Sequence, residues 1–149
     1  MPDATIESGA SRDADALREE WLVRLGQLVA DVKGWVEAAG WRTREITKKM
    51  KDSVLGTYRA PALLMQRETV EVILDPVSRF VLGADGAVDL YLLPAYDDIA
   101  SLYFMEGEWK IHFVFRDPSA VARVREPEVL TLSETAIVRV LNEMVAHAA

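Results

Sequence analysis

Apolar residues recur alternately four and three apart at Trp21, Leu25, Leu28, Val32, Trp35 and Ala39. Leu22, Val29 and Val36 widen this seam into a stripe, with Arg18, Arg24, Gln27, Lys33 and Glu37 on the other side. The spacing predicts a long helix over 13–39. Asp13 and Asp15 suit its positive dipole end, and Gly40 suits its stop. Gly26 and Gly34 each weaken such a helix by about 1 kcal/mol relative to alanine, so burial of the stripe has to hold it together. Residues 1–12 are polar, acidic and small, and are expected to form a frayed tail ahead of a single domain over 13–149.

The stretch 41–50 reads two ways. With period two it is a strand carrying Arg42, Arg44, Ile46 and Lys48 on one face; with period 3.6, Thr43 caps a short helix with Ile46, Met50 and Val54 inward, closed by Gly56. Trp41 and two threonines favour the strand. From Tyr58 the pattern is β. Val70, Val72 and Leu74 alternate, as do Val88, Leu90 and Leu92, and Trp109, Ile111, Phe113 and Phe115 share one face opposite Lys110, His112 and Val114. Asp85-Gly86 between 79–82 and 88–92 predicts a tight hairpin, and Glu106-Gly107 another turn. Pro118 and Pro127 bracket a connecting segment. Thr131 with Glu134 forms a capping-box pattern before a helix with Ile137, Val140, Leu141, Met144, Val145 and Ala148 on one side. The expected fold class is α+β: a long N-terminal helix, an antiparallel meander of five to seven strands and a C-terminal helix, with both helices packed on one sheet face.

Composition narrows the chemistry. The chain has 149 residues, half of them apolar, and no cysteine, which rules out disulfides, thiolate metal sites and thiol nucleophiles. No apolar run approaches the roughly 18 residues of a membrane span. The N-terminus lacks the basic start and apolar stretch of a signal peptide, so a cytoplasmic location and no membrane contact are expected. Net charge is −7. Against this trend, 41–51 carries Arg42, Arg44, Lys48, Lys49 and Lys51 with one acid, Glu45: a net of +4, which leaves −11 on the rest. That segment is a candidate contact for an acidic partner or nucleic acid; lysines guarding a sheet edge are the simpler account. Trp21, Leu28 and Trp35 read first as core, and as a partner stripe if the sheet cannot cover them.

No serine or glycine-rich motif of a known nucleophile or phosphate loop is present. Weak catalytic candidates are His112, Asp89 and Tyr91, and Asp97-Asp98 is a weak metal candidate; no cofactor is expected. Asp75-Pro76 followed by Asp89-Leu90-Tyr91 resembles the PD-(D/E)xK nuclease layout, with Tyr91 standing where the water-activating lysine belongs. Glu106-Gly107-Glu108-Trp109-Lys110-Ile111 resembles the last hairpin of the nuclear-transport-factor and SnoaL-like group, which implies a curved sheet with a small-molecule cavity. In size, acidity and helix–strands–helix order the chain is similar to small acidic secretion-chaperone and immunity-type proteins of bacteria. The expectation is a non-catalytic protein-binding or accessory module whose partner is another protein or a second copy. A pocket enzyme or ligand binder, and a nucleic-acid-associated protein, are the alternatives.

Overall fold

A computed structural model describes the backbone of residues 2–95, 97–114 and 128–148, with side chains from Arg12 onward except that of Asp97. Helix α1 (Pro2–Ala38) is followed by strands β1 (Arg42–Asp52), β2 (Gly56–Arg67), β3 (Val70–Ser78), β4 (Ala87–Leu92), β5 (Asp97–Met105), β6 (Glu108–Phe113) and β7 (Glu128–Thr131), then by helix α2 (Glu134–Ala148). The seven strands form one sheet in chain order, each pair antiparallel. Both helices pack against the sheet and each other. The α+β meander is therefore as the periodicity predicts, and its strand count is the upper end of the expected range.

The two ends of α1 differ in how well the sequence marks them. Its C-terminus is a Schellman stop: Gly40 donates to the Glu37 carbonyl, Trp41 donates to the Val36 carbonyl, and Gly40 takes a φ of 93°. Its N-terminus lies at Pro2, well before Asp13. Pro2 suits a first helical position, and Ala4, Ile6, Glu7 and Ala10 outweigh the single Gly9. At the other end of the chain, Ser133, not Thr131, caps α2: its hydroxyl accepts the Ala136 amide. Thr131 belongs to β7 and accepts a hydrogen bond from Lys110.

Trp21 organises the core. It is completely buried, its indole N–H donates to the Tyr58 hydroxyl at 3.1 Å, and its ring lies 6.4 Å from that of Trp109. Burial pushes the Tyr58 phenol above its usual pKa; the Trp21 hydrogen bond opposes this, and the nearby Asp52 carboxylate adds to it. Gly86 comes so close that a Cβ there would sit 2.4 Å from the Trp21 ring. This revises the hairpin predicted at Asp85-Gly86. Residues 79–82 form no strand of the sheet, β3 runs on to Ser78, and the local turn lies between Val81 and Ala84. Gly86 is needed for space, and Asp85 and Gly86 bond to the Phe104 backbone.

The long β1–β2 hairpin changes which side it buries. Near its open end the odd-numbered side chains meet α1: Thr43 bonds to Glu37, Glu45 faces Lys33 at 3.9 Å, and Leu63 and Met65 are buried. Towards its tip the even-numbered Met50, Tyr58 and Ala60 are buried instead. The switch falls where partner strands run out, because β3 pairs only with residues 63–67 of β2. Beyond that point a two-stranded ribbon twists more strongly than a wide sheet. The strand reading of 41–50 thus holds, and the short-helix alternative does not. The connecting segment between Pro118 and Pro127, and Phe115, lie outside the described residues.

A Gly86→Ala substitution should destabilise the fold by about 1–3 kcal/mol, the usual effect of overpacking. Gly26→Ala, on an exposed helix position with nothing within 4 Å of the new methyl, should stabilise it by about 1 kcal/mol. Denaturant midpoints of the two variants would check both signs.

Candidate functional site

His112, Asp89 and Tyr91 do gather on one face of the sheet, the face turned away from the helices. Register places Asp75 opposite Asp89, Asp89 opposite Ser101 and Ser101 opposite His112, a polar row across four strands. Tyr91 donates to Asp75 at 2.9 Å, Lys48 donates to Asp75 and to the Pro76 carbonyl, and Ser101 donates weakly to Asp89 at 3.4 Å. The order along the row is carboxylate, serine, imidazole. A nucleophile relay needs the imidazole between the other two, so the row lacks that chemistry. His112 packs edge-on against Tyr103, and its buried Nε2 has no hydrogen-bond partner. Asp75-Pro76 lies inside β3, not at a strand end, and the position of a catalytic lysine stays with Tyr91.

The metal candidates fare similarly. Asp98 lies 3.6 Å from His147, and the Asp97 side chain is outside the described residues. Among the described residues no three His, Asp or Glu side chains converge as a cation would require. The tryptophan stripe is also placed: Trp21 and Leu28 are fully inside the core and Trp35 is half-buried against it. A cleft of about 720 Å³ runs between the end of α1 (Ala38, Ala39) and α2 (Val138, Arg139, Asn142, Ala146). Its arginine is already engaged by Glu128 and Glu143.

The first hairpin is different. Half of the described lysines and arginines are paired: Arg18 with Asp15, Arg24 with Glu20, Lys33 with Glu45, Lys48 with Asp75, Arg79 with Asp85, Lys110 with Glu108 and Arg139 with Glu128. Among the described residues, the cations with no acidic partner are Arg12 and six on β1–β2: Arg42, Arg44, Lys49, Lys51, Arg59 and Arg67. Arg67 lies over the Trp41 ring at 5.4 Å; Arg42, Arg44, Lys49, Lys51 and Arg59 are exposed. The twist explains how they come together. Arg42 and Arg44 are even-numbered and face solvent where the odd face is buried. Lys49, Lys51 and Arg59 are odd-numbered and face solvent where the even face is buried. The exposed cations therefore lie on the even-numbered face near the open end of the hairpin and on the odd-numbered face near its tip.

No protein-family model, curated protein or solved structure matches the chain. The site therefore stands on its geometry, and two features of that geometry point to a ligand. Arg42 and Arg44 line a cleft of about 310 Å³ with Leu64, Gln66 and Glu71 beside them, and their planar forks suit carboxylate or phosphate. Lys49 and Arg59 are directly opposite in register, with Lys51 next along the same face. Like charges so placed repel across a ladder and gain from an anion between them. Sequence reasoning found the β1 half of this set and missed Arg59 and Arg67. The turn could have revealed them. Asp52 accepts the amides of Val54 and Leu55, and Gly56 at φ 77° closes a three-residue loop, which sets the register that brings Arg59 to Lys49.

Replacing Lys49 with threonine should raise the melting temperature slightly at low salt by removing this repulsion. The gain should shrink as salt screens the pair, and calorimetry over a salt series would check it.

Proposed function

We propose that the protein is a non-catalytic, cytoplasmic binding module that holds an acidic protein partner against the solvent side of the β1–β2 hairpin. The observation that carries this reading is the concentration of unpaired cations on that one hairpin in a chain of net charge −7. An acidic chain that leaves five exposed cations without an ion pair to its own carboxylates has them free for an anion from outside. Cysteine-free composition agrees with a cytoplasmic setting. No described helix is long and apolar enough to cross a membrane.

Protein is favoured over nucleic acid because of the aromatics. Trp41 and Tyr58, which bracket the basic segment, are both buried and offer no stacking platform beside the cations. The strongly acidic remainder would also repel a long polyanion more than a compact acidic segment. The pocket alternative has less to support it: the clefts between α1 and α2, beside Arg42 and Arg44, and beside Trp109 are not lined by His112, Asp89 or Tyr91.

Fluorescence anisotropy with a labelled oligoglutamate peptide and a labelled single-stranded oligonucleotide tests the proposal. The peptide should bind and weaken with salt, and the Arg42→Ser, Arg44→Ser, Lys49→Ser triple variant should bind it roughly tenfold or more weakly. Equal binding by the variant would contradict the proposal. Tighter binding of the oligonucleotide would move the assignment to nucleic acid.

A further inference from the structure

We infer that the partner is held as an added strand: an extended acidic segment pairs with the outer edge of β1, its carboxylates reaching Arg42 and Arg44 near one end and Lys49 and Lys51 near the other. This rests on the docking reading above and specifies the form of the partner.

Strand β1 is the first of the seven and pairs only with β2, so no described strand pairs with its other edge. Alternate backbone N–H and C=O groups of a strand point to opposite edges, which leaves half of those in an eleven-residue strand directed outward. Proteins commonly blunt a long edge with a bulge, a proline, a covering element or lysines; β1 has the lysines, which repel a second cationic edge and attract an acidic one. No bulge or proline interrupts β1. Its register with β2 runs without irregularity from Arg42 to Asp52, whereas the β3–β4 and β4–β5 ladders both carry shifts. The edge is long and regular, as strand addition requires.

The side chains select the occupant. β1 carries Arg42, Arg44, Lys48, Lys49 and Lys51 against Glu45 and Asp52, a net of +3. Pairing β1 with its counterpart in a second copy would bring two such strands together, so the charge disfavours self-association through this edge. An acidic segment gains from the same charge. The hairpin twist sets the pattern it must have. Arg42 and Arg44 project from one face of the ribbon, Lys49 and Lys51 from the other, and Lys48 is drawn away by Asp75 and the Pro76 carbonyl. A matching segment therefore places carboxylates on one face at its first half and on the opposite face at its second. Beside Arg42 and Arg44 the cleft reaches Leu64 and Met65, with room for an apolar side chain, and Glu71 limits how deep a carboxylate can go.

Two synthetic peptides separate strand pairing from simple charge attraction. One alternates glutamate and valine with the alternation shifted by one position at its middle, so that the carboxylates change face; the other has the same sequence with every backbone nitrogen methylated, which keeps the charges and removes the ladder donors. The first should bind the full chain at low salt and slow hydrogen exchange at the outward amides of β1. The methylated peptide should bind roughly tenfold or more weakly and protect no β1 amide. Equal affinity of the two without protection would overturn strand addition and leave charge-based docking intact. Failure of both to bind at low salt would overturn strand addition together with the docking reading.

Discussion

Trp21 is held among parts of the chain that are far apart in sequence: its indole N–H meets Tyr58 near the tip of the first hairpin, its ring lies against the backbone of Gly86, and Trp109 of β6 packs beside it. Few residues could occupy this position. It needs a large apolar ring with one donor aimed at a buried hydroxyl, and a neighbour with no side chain. The contact ties the far end of the hairpin to α1 at a level where β3 no longer supports β2. Without that tie a two-stranded ribbon would have little to fix its orientation. With it, Met50, Tyr58 and Ala60 are drawn inward, and Lys49, Lys51 and Arg59 must face out.

The sheet divides its labour by face. The side under the helices is apolar from Leu63 and Met65 across Val72, Leu74, Leu90, Leu102 and Ile111. The other side carries the row of Asp75, Asp89, Ser101 and His112, largely joined by hydrogen bonds to neighbours such as Tyr91 and Lys48. Carboxylates and cations there satisfy one another. The hairpin does not follow this rule, because its cations sit on a ribbon whose acids, Glu45 and Asp52, are engaged with Lys33 and with the turn amides. Among the described residues, the fold therefore gathers six of seven unpaired arginines and lysines on this hairpin, and does so through backbone geometry.

Much of this was legible in the sequence. The helical stripe from Trp21, the alternation in β3, β4 and β6, the stop at Gly40 and the α+β class all follow from periodicity and cap chemistry. The less legible parts depend on tertiary neighbours. Gly86 reads as a turn residue because Asp-Gly favours tight hairpins, and nothing local shows that Trp21 will approach it. Thr131 and Glu134 match a capping box, yet β6 recruits Thr131 into a strand and Ser133 takes the cap. His112, Asp89 and Tyr91 share a face as their alternation implies, but only the register shows that serine stands between carboxylate and imidazole. The basic segment was visible as a run of charge. That its exposed cations change face along the hairpin, and are joined by Arg59 from the next strand, depends on a twist and a register that no local pattern encodes.

The most direct measurement of the central claim is a chemical-shift titration of the isotope-labelled chain with an acidic peptide at low salt. The account predicts shifts concentrated at residues 42–51 and 57–59, saturating together and reversing on addition of salt. Shifts centred on Asp75, Asp89 and His112, or on the cleft between α1 and α2, would contradict it.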